Sequence, residues 1–380
     1  LEFLTKWIDA RVNGYFPTTD EKRVPAEDSY DLGHQGLLRY EGFEEPLSGL
    51  DYELGFLIPG LSNIMETRLY AGGYRYDSRK FEDVIGERLR LEIMPTRFMT
   101  LEMKADFGHD GHTRCSYGGF VTLPFDIGNM FRLKNPFEGW GEMVGFGRGP
   151  REMTERMTDR VVRDLDIVRH VGAAKNAVVE QQMIYVDNTN ITGTEDGTRE
   201  HPYNTLAEAF TDADYGEGSW IYVDKGDGTA AGYTGNYTLA DSVVLWGSGY
   251  DGGFPGVVAS THPVIDGTAT AGDTITLAND NTVMGVKLDN AVDDAISSGA
   301  TTRDANINHN IIEHSFNKSL NFVNNSPQDV TWVITDNTIT DNNRRGVNYY
   351  NDAYFENDGG GSMRLDFLRN VSSVPTMAYN

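Results

Sequence analysis

Polar and apolar residues alternate strictly along much of the first third of the chain. From Leu50 to Ile58, Tyr52, Leu54 and Phe56 interleave with Asp51, Glu53 and Gly55. Residues 88–93 set Arg88, Arg90 and Glu92 against Leu89, Leu91 and Ile93. Residues 99–107 set Met99, Leu101, Met103, Ala105 and Phe107 against Thr100, Glu102, Lys104 and Asp106. A period of two puts each set on one side of a sheet, so these runs predict β-strands with two unlike faces. Between Glu66 and Tyr76 the expected aromatic face is Tyr70, Gly72, Tyr74 and Tyr76, opposite Arg68 and Arg75. Leu1–Phe16 and Tyr117–Leu123 are weaker strands of the same kind. Pro59-Gly60, Pro95-Thr96, His109-Asp110-Gly111 and Pro124 separate the runs, which predicts an antiparallel meander of six or seven strands.

Two architectures produce such strands. A soluble sheet buries its apolar face on a core. An outer-membrane barrel turns that face to lipid, keeps polar residues in the lumen and places Tyr and Phe near the interfaces. The aromatic content and the length of the alternations favour the barrel.

The alternation then stops. Phe137–Pro150 is rich in turn residues, and Arg151–Arg169 is dense in both charges, with Met157, Val161, Leu165 and Val168 at helical spacing. This stretch is expected to be a linker, with a short amphipathic helix in its charged part. From Met183 onward the pattern changes again. Short apolar runs (Ile184-Tyr185-Val186, Ile221-Tyr222-Val223, Val243-Val244-Leu245, Ile275-Thr276-Leu277) recur between Gly-, Asn- and Asp-rich turns. Asn281-Thr282-Val283, Asn310-Ile311-Ile312 and Asn337-Thr338-Ile339 repeat an Asn-x-aliphatic motif 29 and 27 residues apart. Periods of this length indicate stacked coils. Asn and Gly tolerate the left-handed turns that coils need, and equivalent Asn side chains can bond from coil to coil. The expected organisation is residues 1–128 as a barrel wall, 129–180 as a linker and 181–380 as a parallel β-helix.

Charge sharpens the division. The chain carries a net charge of −25. Residues 181–380 hold nine Lys/Arg against 27 Asp/Glu, a balance of −18, which leaves −7 for residues 1–180. So acidic a second half argues against nucleic acid, whose phosphates need a cationic face, and its oxygens can hold Ca²⁺. The single cysteine, Cys115, excludes an intrachain disulfide and any multi-cysteine metal site. His109 and His112 have no further His or Cys partner at zinc-binding spacing and read as a polar loop. The sequence opens at Leu1 inside a strand pattern, so a longer natural chain with further strands is expected.

Several segments resemble the inverse autotransporter (intimin/invasin-type) barrel family. They are Leu47-Ser48-Gly49-Leu50-Asp51-Tyr52-Glu53-Leu54-Gly55-Phe56-Leu57-Ile58-Pro59, Arg68-Leu69-Tyr70-Ala71-Gly72-Gly73-Tyr74, Gly86-Glu87-Arg88-Leu89-Arg90-Leu91-Glu92 and Val121-Thr122-Leu123-Pro124-Phe125. Arg156–Val168 is similar to the segment by which such proteins leave their last strand. The resemblance covers roughly residues 1–170 and implies a lumen-threading linker that carries a passenger outward. Arg156, Arg160, Arg163 and Arg169 would then pair with luminal carboxylates such as Glu92 and Glu102; an ordinary solvated linker is the competing reading. Downstream, Asp196-Gly197-Thr198-Arg199-Glu200-His201-Pro202-Tyr203-Asn204-Thr205-Leu206-Ala207-Glu208-Ala209 resembles the lead-in of pectin-lyase-like right-handed β-helices. There a capping helix, here Thr205–Asp212, closes the open end, so 196–212 is the expected cap.

The fold class is therefore expected to be all-β, a partial antiparallel outer-membrane barrel followed by a right-handed parallel β-helix. A β-helix hosts lyases, phage spikes and adhesins alike, so fold alone does not give activity. Asp293-Asp294, and Asp336 with Asp341, are the nearest carboxylate groupings; Arg303, Arg344 and Arg345 are the nearest cations. All read as solvated turns, and no catalytic, cofactor or metal residue is assigned. The expected function is outer-membrane anchoring and surface display of the β-helix. Lipid is the partner of the barrel, and an extracellular glycan or a host or neighbouring cell surface that of the passenger. A β-helix polysaccharide lyase or hydrolase is the alternative, and a purely structural repeat protein a third reading.

Overall fold

The computed structural model describes residues 1–109, 111–122, 127–135, 149–157, 162, 168–269, 271–299, 302–340, 353–372 and 377–379. They form two compact units, Leu1–Glu27 with Glu41–Asn176, and Asp28–Tyr40 with Ala177–Asn380. No described helix is long and apolar enough to cross a membrane, which bears on helical spans alone.

In chain order the first strands are β1 Glu2–Leu4, β2 Ile8–Tyr15, β3 Lys22–Arg23, β4 Ser29–Gly33, β5 Gly36–Pro46, β6 Ser48–Leu57, β7 Glu66–Asp77, β8 Val84–Thr96, β9 Met99–Gly108 and β10 Thr113–Val121. Seven of them make one antiparallel sheet in the order β1-β2-β6-β7-β8-β9-β10. Among the described residues the sheet does not close on itself, and β1 and β10 are its edges. The meander expected from alternation is present, and the long β6–β9 hairpins keep register except for a shift between Ile93 and Thr96 in the β8–β9 pair.

One face assignment is corrected. Arg68 lies on the same side of β7 as Tyr70 and Tyr76, and all three are buried. Parity requires this, because residues an even number apart share a face. Outward on β7 point Leu69, Ala71 and Arg75. Gly55, opposite Tyr70 across the β6–β7 pair, leaves room for that ring: a Cβ there would come within 2.3 Å of it.

Two short helices follow, α1 Ile127–Phe131 and α2 Met153–Arg156, then β11 Arg169–Gln182. The amphipathic helix expected across 151–169 is thus a single described turn, and β11 occupies part of the predicted linker as strand. Val161, Leu165, Arg160 and Arg163 lie outside the described residues, as does most of Phe137–Pro150.

The second unit is built from three parallel sheets visited in cyclic order, the arrangement of a parallel β-helix. The first holds Ile184–Val186, Trp220–Val223, Val244–Gly247, Asn281–Met284, Asp304–Asn308, Val330–Thr335 and Met363–Leu368. The second runs from Val264–Asp266 through Lys287–Asp289, Ile311–Glu313 and Thr338–Thr340 to Val371–Ser372. The third runs from Tyr237–Thr238 through Ile275–Leu277, Ile296–Ser298, Leu320–Asn324 and Ala353–Asn357 to Met377–Tyr379. Inward positions stack in register: Leu245, Val283, Ile307 and Ile334 in the first sheet, Ile265, Leu288, Ile312 and Ile339 in the second. All eight belong to one continuous buried core. Each coil alone is too short to hide its apolar side chains, and stacking does it for them.

The lead-in is close to expectation. Asp196 accepts hydrogen bonds from the Thr198 amide (3.0 Å) and hydroxyl (2.7 Å), and Thr205 and Glu208 form a capping box. The helix it starts, α3 Leu206–Ala209, is one turn rather than the predicted Thr205–Asp212. Its Leu206 and Ala209 are fully buried in the core.

The Asn repeat is resolved into two devices. Strand register makes Val286, Asn310, Asn337 and Asn370 equivalent, whereas Asn281 pairs with Ala305 at a different corner. The 29-residue spacing was therefore not a coil period; the equivalent steps are 24, 27 and 33 residues. Asn337 Oδ1 accepts from the amide and side chain of Asn310 (3.0 Å each), and Asn370 Oδ1 does the same for Asn337 (2.9 Å each). Before each of these residues sits a left-handed one: Gly285, His309, Asp336 and Arg369, with φ between 54° and 67°.

Residues 28–40 were expected within the barrel region. In the structure β4 and the start of β5 form a hairpin (Ser29↔Tyr40, Gly33↔Gly36) that packs within the second unit. On the first parallel sheet an outward column, Tyr185, Tyr222, Trp246 and Met284, runs across successive coils. Leu32 and Leu37 of the hairpin bury it together with Phe254 and Val257. Backbone bonds fasten the hairpin: Met183 N to Gln35 O (3.0 Å), Arg199 N to His34 O (2.9 Å) and Tyr30 N to Pro255 O (2.7 Å).

Candidate functional site: an ion-paired sheet face followed by the linker

Alternation on β2, β6, β7, β8 and β9 collects Asp9, Arg11, Asp51, Glu53, Glu66, Arg68, Arg88, Arg90, Glu92, Glu102 and Asp106 on one face of the antiparallel sheet. That face is the covered one. Asp51 and Glu53 are 3% and 5% exposed, while Leu54 and Phe56 on the opposite face are 49% and 51% exposed. The usual sidedness of a soluble sheet is reversed.

Buried charges require partners, and these form a network. Arg90 donates to Glu53 (2.8 Å), Glu92 (3.0 Å) and Glu102 (3.5 Å), and its guanidinium lies 3.9 Å from the Tyr70 ring centroid. Arg88 holds Asp106 at 2.6 Å, and Asp51 accepts from Asn13 (2.8 Å) and Tyr15 (2.6 Å).

At the β2–β7 end the linker enters this network. Asp9 accepts from Tyr70 (2.9 Å), Arg68 (3.3 Å) and Arg156 (2.8 Å). Glu66 accepts from Arg68 (3.0 Å) and from both the backbone and the side chain of Arg151 (3.0 Å each). Two carboxylates are thus shared by four guanidiniums, Arg97 among them at 3.7 Å from Glu66, and two of the four come from residues 151–156. The capping box of α2, Glu152 with Glu155, fixes the turn between them, and Arg156 also donates to Thr5 O. Downstream, Val162 O accepts from Asn13 (3.2 Å), and Val168 O from the Leu47 amide (2.9 Å). The described parts of the linker follow the polar face.

The sequence placed linker arginines against carboxylates of this face, but with the wrong partners. Arg156 meets Asp9, Arg169 pairs with Glu44 at the surface, and Glu92 and Glu102 serve Arg90. Arg151, Asp9 and Glu66 were not anticipated. Asp9, Arg11 and Asn13 between Ile8, Ala10 and Val12 carried the signal, an alternation interrupted only by its short neighbour β1.

The groupings singled out in the β-helix are engaged elsewhere. Asp294 lies in the turn before Ile296–Ser298, where burial raises its carboxyl and Asn317, the Lys318 amide and Asn321 donate to it at 2.8, 2.9 and 2.6 Å. Asp336 is paired with Arg369 (2.6 Å), and Arg303 donates to Gln328 (2.9 Å). Asp341, Arg344 and Arg345 lie outside the described residues. Asp289, Glu313 and His314 are close enough to share a cation, but Lys287 already sits 2.8 Å from Glu313, and His314 2.7 Å from Asp289.

No curated protein and no solved structure matches the chain. A family model described as "Protein of unknown function (DUF1565)", a family associated with parallel β-helix proteins, matches residues 190–364, the body of the coiled unit.

Proposed function

We propose that the antiparallel sheet is part of the wall of an outer-membrane β-barrel of the inverse-autotransporter type. Its linker passes along the luminal face, and it anchors a β-helix displayed at the cell surface for adhesion. The observation that carries this reading is the reversed sidedness of the sheet. In water, an exposed row of Ile8, Leu54, Phe56, Leu69, Leu89 and Met103 over a covered layer of ion pairs is the costlier arrangement. Against lipid it is the favourable one, because apolar residues meet acyl chains and charges stay in the lumen. Lipid tolerates no unpaired strand, so this reading requires partners for the open edges at β1 and β10. Arg151 and Arg156 supply a fastening by which a traversing linker is held.

The test uses the full-length gene with an epitope tag after the β-helix. The tag should be reachable by external protease on intact cells, leaving a resistant barrel in the outer membrane. A tag confined to periplasm or medium with no membrane-bound remnant refutes the proposal. Leu54→Arg should cost about 2–4 kcal/mol if it faces the bilayer midplane. It should abolish membrane assembly, while Ile191→Arg, at a 96% exposed position of the coiled unit, leaves assembly intact.

A further inference from the structure

Beside the strapped aromatic column the second unit has a cleft of about 400 Å³. Tyr185 and Tyr222 line it, their rings 5.8 Å apart. Asp187 and Asp224 also line it, following the paired strand ends Val186 and Val223, so they stack one coil apart. The hairpin contributes Asp31, and the lead-in contributes Arg199, 3.8 Å from it.

Three features distinguish this cleft from ordinary surface relief. Tyr222 is 7% exposed, and its hydroxyl has no hydrogen-bond partner among the described residues, so the one part of this buried side chain that solvent in the cleft can reach is an uncommitted donor. Asp187 uses one oxygen on Thr189 and Asp224 one on Gly226, which leaves an acceptor oxygen on each carboxylate uncommitted within the described network. Among the described residues the side chain of Arg199 has only its long contact to Asp31, and it remains half exposed. The described carboxylate groups close enough to share one ion lie elsewhere, at Asp289/Glu313/His314 and Asp273/Asp293/Asp294.

A fitting ligand is uncharged, brings several hydroxyl donors, and has one apolar flank. Three carboxylates around a single arginine repel polyanions, and a cleft of this size lies within the small-ligand range. We infer that the cleft bordered by Tyr185, Tyr222, Asp31, Asp187, Arg199 and Asp224 binds a neutral sugar residue of an extracellular glycan. Carboxylates accept from vicinal hydroxyls, Arg199 and the Tyr222 hydroxyl donate to ring or hydroxyl oxygens, and the carbons of Val257 and Val258 cover the sugar's C–H face. This deepens the adhesion reading and rests on it.

The experiment is calorimetric titration of the full chain in detergent with neutral gluco-, manno- and galacto-oligosaccharides, with oligogalacturonate as the anionic comparison. Saturable binding of at least one neutral oligosaccharide is expected, with none of oligogalacturonate. Tyr222→Phe, which removes only the unpartnered oxygen, should weaken it about tenfold with an unchanged melting temperature. Asp187→Asn should weaken it as well. Absence of saturable binding by every neutral oligosaccharide, or an unchanged Kd for Tyr222→Phe, overturns the inference. The display reading is judged separately by the tag: an exposed tag and cell binding unaffected by Tyr222→Phe would leave adhesion standing and remove this cleft from it.

Discussion

Asp9 and Arg156 show how much a single pair can matter when it is dry. Both are at most 1% exposed, and removing Arg156 leaves a buried carboxylate with Arg68 and Tyr70 as its remaining donors. Arg156→Ala should destabilise the antiparallel unit by about 3 kcal/mol. Arg169→Ala should cost well under 1 kcal/mol, because Arg169 is 64% exposed beside Glu44. Denaturant titration of the purified chain in micelles separates the two; equal effects would show that Arg156 is not a fastening. Asp294 makes a pH-dependent counterpart in the coiled unit. Its carboxyl is raised by burial, so the protonated form is favoured in the folded state. That contribution is complete below the ordinary value of 3.8 and is lost as pH rises through the higher folded value. Wild type should therefore gain stability relative to Asp294→Asn as pH is lowered from 7 towards 4. A pH-independent gap between the two would refute it.

Among the elements, strands were legible where two faces differ and obscure where both are buried. The strands β6 to β9 follow directly from period two, since each buries charge and exposes aliphatics. The coil strands are two to six residues long, and their grouping into three sheets depends on pairing partners that no local pattern specifies. That is why Asn281, an inward corner residue bonded to Ala240 O (2.7 Å), looks in sequence like a repeat of Asn310. Linker partners were illegible for a related reason: Arg156 finds Asp9 across 147 residues of sequence. The ladder itself gives a sharp expectation. Asn337→Ala deprives the Asn310 amide of its acceptor and should cost about 2 kcal/mol, read as a lower melting temperature of the coiled unit. On β10, Cys115 is opposite Ala105, on the face shared with Leu101 and Met103. In intact membranes it should react with an apolar maleimide and resist a charged, impermeant one; equal labelling by both would contradict a lipid-facing sheet.

At the scale of the molecule, the described architecture divides labour by charge as well as by fold. Acidic surface accumulates on the coiled unit, while the antiparallel sheet hides its ions and presents hydrocarbon. The sequence revealed this division through composition and period, and missed that residues 28–40 cross it. Those thirteen residues are encoded far ahead of the coils they complete, and this bears on how such a protein can evolve or be engineered. A coiled unit cut from the gene at Ala177 would carry Tyr222 and Trp246 without the leucines that cover them, and should aggregate unless the hairpin is supplied alongside. Exchange of coiled units by simple recombination near Ala177 is hampered in the same way. Each new β-helix would inherit a strap shaped for its predecessor, so strap and first coils are bound to be inherited as one unit.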